Sequence, residues 1–297
     1  MATISFDSNT SHALDAYIKK HFPDATSNDA TRTGVALALW AEGQAGVPLG
    51  AYDAQLSGLA AQVGITKGAN AVAKAMPQDG FRYYDITAKH DREIPNYQPF
   101  WGQMSMVRFT LPVSNANVKD IHTGIGTVGA GDHLYRSVEE FKKTYGGAPY
   151  SQTTRIDLVT PAREHGVRFG AISAYLGYTN GGTTPSFYVL EAGTATGDPK
   201  VPYACPTIDG GVVAYTDYKP TPFAAKGHVY RGSLRVVGDA PDLLSVWVEA
   251  KPHTPYLKLE AQFTETTTPQ NIWPGFLIVR AIAIVAERLP HVPIEPI

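Results

Sequence analysis

The sequence predicts a mainly β protein: a jelly roll or β-sandwich of about eight strands that follows a helical N-terminal segment. Two observations lead to this fold class. Residues 1–76 are rich in Ala and read as short helices, whereas the chain after Pro77 changes to strand-like segments separated by turns that contain Gly and Pro. Those strands follow one another at short spacing with only one convincing helix among them, which favours a sandwich or jelly roll over alternating β and α units.

The N-terminal segment is expected to hold four short helices. The first is capped by Asn9 or Ser11 and runs to about residue 21, and the second begins at Asn28 or Asp29 and ends near Gly43. The other two cover residues 51–63 and 67–76. Because helices of this length are marginal in isolation, we expect them to pack on one another or on a sheet.

The segments after Pro77 are recognised as strands by their alternating or continuous apolar residues. They cover residues 81–86, 104–113, 155–159, 167–178, 186–191, 212–218, 229–237, 243–250 and 257–264. Residues 238–242, between two of these strands, resemble a hairpin connection. The interrupting helix is predicted over residues 138–145, because Ser137 and Glu140 form a capping box and Gly146 follows as a C-terminal stop.

The most apolar stretch of the chain, residues 276–286, is interrupted only by Arg280. Its Ile and Val residues are branched at Cβ, which suits a pleated sheet better than a helix. A membrane span needs ~20 apolar residues and accommodates a central Arg poorly. We therefore expect a closing core strand that is buried on most of both faces.

These segments divide the chain into three parts. We expect a helical segment over residues 1–76, a jelly-roll domain over residues 77–288 and an extended C-terminal arm over residues 289–297. The prolines of the arm favour an extended conformation over a regular element.

Composition limits the classes of function. The 297 residues carry a net charge of −2 and the pI is about 6.5, so the chain as a whole has no electrostatic attraction to nucleic acid. Charged residues make up 18% of the chain, against ~25% in ordinary soluble domains. Either neighbouring subunits cover part of the surface, or the surface is built from Thr, Ser, Asn and Tyr, and the composition leaves both open.

Cysteine content and the N-terminus bear on the cellular compartment. The single cysteine, Cys205, excludes an intrachain disulfide framework and a cysteine-based zinc site, and we expect it to be a buried, inert thiol. The N-terminal residues lack a charged segment followed by an apolar one, so no signal peptide is predicted. We expect maturation in a reducing compartment.

The sharpest local motif is a literal GxGxxG that spans residues 124–129. Such a loop holds a pyrophosphate only where a buried strand precedes it and a helix follows at once. Here the preceding residues are polar and the following helix starts several residues late. We therefore expect a flexible surface loop and predict no nucleotide or other cofactor.

Three further clusters were weighed as sites of chemistry. His122, Asp132 and His133 lie close together in sequence, but they lack the His-x-His spacing of a cupin-type metal site, so loop histidines are expected and no metal is predicted. Arg163 begins a segment that reads as a charged turn, and no GxSxG elbow is present. The sequence therefore predicts no catalytic residue, and we expect the chain not to be an enzyme.

Aromatic and arginine residues within or near strands have two readings each. An aromatic cluster before the second strand, expected to be a small core or else a lectin-like platform, comprises Tyr83, Tyr84, Tyr97, Phe100 and Trp101. Trp247 is expected in the core or in an interface. Four strand-borne arginines either share one polar face or form separate ion pairs: Arg108, Arg155, Arg168 and Arg235.

The order of these elements resembles the coat proteins of small non-enveloped icosahedral viruses that are built on a single jelly roll. A helical N-terminal portion precedes strands punctuated by Pro and Gly, and the resemblance covers roughly residues 80–290. The segments VYRGSLRVVGDAPDLLSVWVEA and GFLIVRAIAIVAE are similar in character to the last strands of such coats. The resemblance is one of architecture, without a family-specific motif.

The resemblance implies a structural protein that assembles from many copies of itself into an icosahedral shell around a viral genome. It places the protein in the virion, assembled in the host cytoplasm, without a membrane partner. Many such coats carry a strongly basic arm, which this N-terminus lacks, so contact with viral nucleic acid would have to occur without one. A host receptor is not identified.

Subunit contacts are expected from the N-terminal helices and from the tail. The candidate interface residues are Leu37, Trp40, Pro293, Ile294, Pro296 and Ile297. The competing class is a carbohydrate-binding or enzymatic β-sandwich, whose site would be the loop that holds Asn96 and residues 97–101. The size of the assembly distinguishes the two classes.

Overall fold

The computed structural model describes residues 3–21, 27–43, 46–63, 67, 78–92, 98–163, 172–193, 200–216, 227–251 and 254–269. The helices are α1 (Ser8–His21), α2 (Asp29–Glu42), α3 (Asp53–Val63) and α4 (Val138–Thr144). The strands are β1 (Arg82–Arg92), β2 (Gln98–Thr110), β3 (Ile121–His122), β4 (Thr127–Val128), β5 (Thr153–Thr160), β6 (Ile172–Thr179), β7 (Phe187–Ala192), β8 (Val201–Cys205), β9 (Gly211–Thr216), β10 (His228–Val237), β11 (Ala240–Lys251) and β12 (Thr254–Thr266).

Ten of these strands form one antiparallel sheet in the order β8-β7-β6-β5-β2-β1-β12-β11-β10-β9. Apart from the small β3–β4 hairpin, each strand pairs with the next one along the chain, and β12 pairs with β1 to bring the sheet round on itself. The sheet is nearly closed into a barrel, and the seam lies between its two edge strands, β8 and β9.

The prediction of a mainly β chain is confirmed, but the jelly roll of about eight strands is not. A jelly roll connects its strands by Greek keys, so that spatial neighbours are often distant in sequence. The described strands are instead connected up and down, with ten strands in one sheet. Alternation of residues identifies a strand and its buried face, but not the strand beside it.

The interior of the sheet is an apolar core to which all ten strands contribute alternate residues. Tyr84, Leu176, Tyr188, Leu244 and Phe263 are among its buried side chains. At the seam, the rings of Tyr203 on β8 and Tyr230 on β10 stack with their centroids 3.9 Å apart. Side-chain packing therefore joins the two sides of the seam from within, where β8 and β9 form no ladder with each other in the described residues.

The outer face of β2, β5, β6 and β7 is covered by the chain between β2 and β5, which includes α4. Phe141 of α4 stacks on Phe187 of β7 with ring centroids 5.8 Å apart. Gly177 of β6 makes room for this packing, since a Cβ at that position would overlap the ring of Phe187. The predicted cap of α4 is confirmed: the Glu140 amide donates to Ser137 Oγ at 3.0 Å.

The N-terminal helices α1, α2 and α3 share a hydrophobic cluster that is separate from the two clusters of the sheet. The predicted caps of α2 are confirmed, because Asn28 Oδ1 accepts from the Thr31 amide at 2.9 Å and Gly43 adopts φ 67°. Leu37 and Trp40, both predicted at a subunit interface, are 1% and 8% exposed in this cluster of the single chain. They are core residues of the helices, because α2 is buried on nearly all sides.

Each of the nine strands predicted between residues 81 and 264 coincides with an observed strand. Strand β8 was not predicted, because Val201–Cys205 is short and contains a proline. Several predictions fall outside the described residues: most of the helix at 67–76, the closing strand at 276–286, and the arm with Pro293, Ile294, Pro296 and Ile297.

Candidate functional site

The outer face of β9, β10, β11 and β12 differs from the covered half of the sheet, because large apolar side chains lie exposed on it. Directly opposed residues share a face of a sheet, and the pairing register places Val213, Arg231, Trp247 and Lys258 in one row across these four strands. Val213 is 64% exposed and Trp247 is 42% exposed. We call this surface, together with Tyr215, the outer patch.

Tyr215 belongs to the neighbouring row of the outer patch and is 76% exposed. It lies two strands and two residues away from Trp247, which corresponds to a separation of ~12 Å between Cα atoms at ordinary sheet spacings. Monomeric proteins seldom leave several large apolar side chains together on one face without a partner. The outer patch is therefore a candidate interaction surface.

The charges around the outer patch are of both signs and are paired. Arg231 Nε lies 3.2 Å from Glu249 Oε2. Lys258 Nζ lies 4.9 Å from the centroid of the Trp247 ring, which is a cation–π contact. The patch therefore presents apolar rings beside charges that already have partners, and it has no excess of either sign.

A second feature is a row of buried polar side chains on the covered half of the sheet. Ser173 of β6 lies opposite Glu191 of β7, and its Oγ is 2.9 Å from Thr160 Oγ1 on β5. All three side chains are buried. Buried polar groups need partners, and here the chain between β4 and α4 supplies them.

His133 lies over this row and connects its two ends. Its Nδ1 is 3.0 Å from Glu191 Oε1, and its Nε2 is 3.2 Å from Thr160 Oγ1. The Leu134 amide donates to Glu191 Oε2 at 2.8 Å, and the Tyr175 hydroxyl donates to the same oxygen. We call Glu191, His133, Thr160 and Ser173 the buried row; it fixes the chain before α4 to the sheet.

The electrostatics of the buried row favour an ionised Glu191. Burial by itself raises the pKa of this carboxyl group, but the hydrogen bond and charge of His133 and the charge of Lys200 outweigh burial. The net result is a pKa well below the usual range. Burial and the neighbouring Glu191 raise the pKa of Tyr175, so its hydroxyl keeps its proton and donates it.

The sequence of groups in the buried row, carboxylate to imidazole to hydroxyl, is the one that activates a nucleophile in hydrolases. A nucleophile must also reach a substrate. Thr160 and Ser173 are buried and hydrogen-bonded to each other beneath the chain that holds His133. The arrangement in this structure supports anchoring of a loop and gives no substrate access to these hydroxyls.

A third feature closes the end of the sheet where β1 begins. Arg108 Nη2 lies 2.6 Å from Asp157 Oδ2 and 2.6 Å from the Tyr178 hydroxyl, and Nη1 donates to the Asp239 carbonyl at 2.6 Å. Burial by itself lowers the pKa of Arg108, but the hydrogen bond to Asp157 and the nearby charges raise it overall. The arginine is thus fully charged and ties the β10–β11 turn to the inner face of the sheet.

The GxGxxG motif forms the β3–β4 hairpin and its turn, with Gly124 at φ 77°. A Cβ at Gly126 would overlap the carbonyl oxygen of Arg163, where Thr127 and Arg163 exchange backbone hydrogen bonds at 3.2 and 2.7 Å. Gly129 donates its amide to Asp132 Oδ2 at 2.7 Å. The glycines therefore have local structural roles, and the two-residue strands and late helix do not provide the strand–loop–helix unit that dinucleotide binding requires.

The residues weighed as a metal site lie apart in function. His122 is exposed and contacts Thr127, whereas His133 belongs to the buried row and Asp132 forms an ion pair with Arg163. Within the described ranges, no three His, Cys, Asp or Glu side chains converge as a metal site requires. Cys205 is buried, as expected.

The aromatic and arginine predictions are divided by the structure. Tyr83 and Tyr84 are buried in opposite clusters of the sheet, which agrees with a core role. Asn96 and Tyr97 lie outside the described residues, as does Arg168, and the side chains of Phe100 and Trp101 are not described either. Arg108 and Arg155 both lie beside Asp157, whereas Arg235 pairs with the exposed Asp242 on the opposite face. The sequence gave no sign of the buried row, apart from the isolated charge of Glu191 in an otherwise apolar strand.

Comparison with known proteins yields no relative. No family model, curated protein or solved structure matches this chain. Among the helices of the described ranges, none is both long enough and apolar enough to cross a membrane.

Proposed function

We propose that this chain is a structural protein that assembles with many copies of itself, in the manner of a coat protein that encloses a viral genome. The observation that carries the proposal is the asymmetry of the sheet. The chain covers one half of its outer face with α4 and the segment around it, whereas the other half carries Val213, Tyr215 and Trp247 exposed to solvent. Contact between copies would cover these side chains and would also account for the low share of charged residues, 18%.

The proposal does not depend on jelly-roll connectivity, which the described strands do not have. It depends on a rigid sheet that presents one apolar face, and on helices whose core is separate from that sheet. The one acid–base cluster found in the described residues is buried and anchors a loop, which favours a structural over a catalytic role. Enclosure in a virion and an icosahedral arrangement are the finer parts of the proposal.

The test is a matched pair of aspartate variants. Val213→Asp puts a charge into the outer patch, whereas Val113→Asp puts the same charge on a valine that is 70% exposed outside it. We expect large particles from the parent chain and from Val113→Asp, and monomers or small oligomers from Val213→Asp, as measured by multi-angle light scattering. A parent chain that is monomeric at all concentrations would refute the proposal.

Salt dependence separates apolar from ionic assembly. The charges near the outer patch are already paired within the chain, so apolar contact should dominate between copies. We expect particles to persist from low to moderate salt, because screening weakens exposed charge pairs and leaves apolar burial intact. Particles that dissociate on addition of salt would point to an ionic interface elsewhere.

A carbohydrate-binding function is the second candidate, and one observation favours it. Tyr215 and Trp247 are exposed on the same sheet face, and exposed aromatic rings beside polar groups are a common way to stack sugars. Glycan-array binding by a monomeric chain, lost in Trp247→Ala, would favour this candidate. Particles without glycan binding would favour assembly.

A further inference from the structure

We infer that the edge strand β9 (Gly211–Thr216) joins two copies of the chain by antiparallel pairing with β9 of the second copy. This inference rests on the proposed self-assembly and names the segment that carries one of its contacts. The argument has three parts: the difference between the two edges of the sheet, the geometry of the seam, and the charge around β9.

The two edge strands differ in their protection against a further strand. Proteins blunt an exposed edge with proline or lysine, since both hinder the addition of another strand. Strand β8 has Pro202 within it and Lys200 just before it. Strand β9, with the sequence GVVAYT, contains neither and has no charged residue. Only β9 therefore has the composition of an edge that accepts a partner.

The seam keeps β8 from serving as that partner. At the turn between the strands, Cys205 Sγ lies 3.7 Å from the Gly211 carbonyl oxygen, and the Tyr188 hydroxyl donates to the Gly210 carbonyl at 2.6 Å. These contacts hold the turn, yet in the described residues β9 forms a ladder with β10 alone. Backbone groups on its other edge are suited to pairing with an added strand.

The charge distribution favours a second copy over a charged peptide. The charges nearest to β9 on the outer face, Arg231 and Glu249, are paired with each other at 3.2 Å, so neither sign of partner is preferred. An uncharged strand meets no repulsion when it pairs with itself. A two-fold axis between the copies would place the exposed Val213 and Tyr215 of one copy beside those of the other, which makes the contact self-complementary.

The small size of this contact decides how it should be measured. Six residues of β9 pair with six of the second copy, which is less than the ~800 Å² per partner of a typical stable interface. The contact alone would be weak and would gain strength only among several contacts in a larger assembly. A covalent trap at chosen positions is therefore more informative than the elution volume of a dimer.

The experiment places single cysteines on the chain and oxidises them mildly. Val213→Cys and Tyr215→Cys probe β9, both singly and mixed with each other, because the register of the pairing decides which combination aligns. Val113→Cys is the control of similar exposure, and Pro202→Cys probes the other edge. The native Cys205 stays in place because it is buried. We expect disulfide-linked dimers on non-reducing gels at β9, in at least tenfold higher yield than at Val113→Cys.

Light scattering on the same samples separates this inference from the proposed function. Particles together with β9 cross-links support both. Particles whose cross-links at β9 do not exceed those of Val113→Cys, or that cross-link instead at Pro202→Cys, overturn the β9 contact and leave self-assembly standing. Monomers that give no cross-links overturn both.

Discussion

Glu191→Gln is the most informative perturbation of the buried row. Four groups converge on this carboxylate: the Tyr175 hydroxyl, the Leu134 amide, the His133 ring and Lys200 Nζ, the last at 3.0 Å. Glutamine has nearly the same shape, but its amide nitrogen is a donor and has no charge. At least one of the four groups would then face another donor, and Lys200 would lose its counter-charge.

The magnitude of the loss follows from burial. The Glu191 side chain is fully buried, and removal of one partner from a buried ion pair destabilises a protein by ~3–5 kcal/mol. For a chain of this size each kcal/mol lowers the melting temperature by about 2–4 °C, which gives a total of roughly 6–20 °C. The expected loss is centred on the loop before α4, because Glu191 anchors that loop to the sheet.

The pH dependence of this loss has a defined sign. The folded-state pKa of Glu191 lies well below its ordinary value, so its carboxylate stabilises the fold fully above the unfolded-state pKa of ~4.3. That contribution declines as the pH falls from about 5 toward the folded-state pKa. The difference in unfolding free energy between the parent chain and Glu191→Gln should therefore be largest near pH 7 and should shrink below pH 4.

Urea unfolding followed by far-ultraviolet circular dichroism at pH 7, 5 and 3 measures these quantities. Glu139→Gln is the matched control, because Glu139 lies exposed on α4 and pairs with Lys143. The control should unfold like the parent chain at each pH. An unchanged midpoint for Glu191→Gln at pH 7, or a deficit that stays constant into acid, would refute the role assigned to the carboxylate.

Three further changes test other parts of the structure. Gly177→Ala should cost ~1–3 kcal/mol in urea unfolding through overlap with Phe187, and the double variant with Phe187→Leu should recover part of it; additive losses would contradict the contact. Ile282→Asp should cost several kcal/mol if residues 276–286 form a buried strand, and normal solubility and stability of this variant would rule that strand out. Deletion of residues 290–297 should reduce particle size in light scattering, and unchanged particles would remove the tail from the assembly.

Local signals were enough to predict most of the elements. The caps at Asn28, Gly43 and Ser137 act within one helical turn, so a short stretch of sequence determines them. The turn between β10 and β11 is tighter than the predicted connection at 238–242, because Val237 pairs directly with Ala240. Gly238 at φ 64° begins this two-residue turn, a position that favours glycine.

Strand order could not be predicted in the same way. Pairing of β1 with β12 depends on residues far apart in sequence, and the alternating pattern of each strand is compatible with several neighbours. Strand length was underestimated for β1, which continues to Arg92 through polar residues that still pair in the ladder. The strand count rose to ten because β8 joined the sheet as well.

The candidate sites show the same division between local and distant information. His133 was singled out as a loop histidine, but its partner Glu191 lies 58 residues away, so no local spacing could connect them. Trp247 was expected in the core or in an interface, and its 42% exposure on the outer patch removes the first of these. Which neighbour covers an exposed ring depends on another molecule and is therefore not written into the period of the strand.

The way in which the sheet closes has a consequence for how the chain folds. Tyr83 and Thr266 face each other across β1 and β12, so the sheet begins and ends side by side, while this ladder joins residues up to 183 positions apart. Most other ladders connect adjacent strands, and local contacts form faster than distant ones. Closure should therefore be a late, slow step. If the two ends were joined by a short linker, with the helical segment moved to a new N-terminus opened at residues 206–210, no ladder would be cut and the slowest contact would become a hairpin.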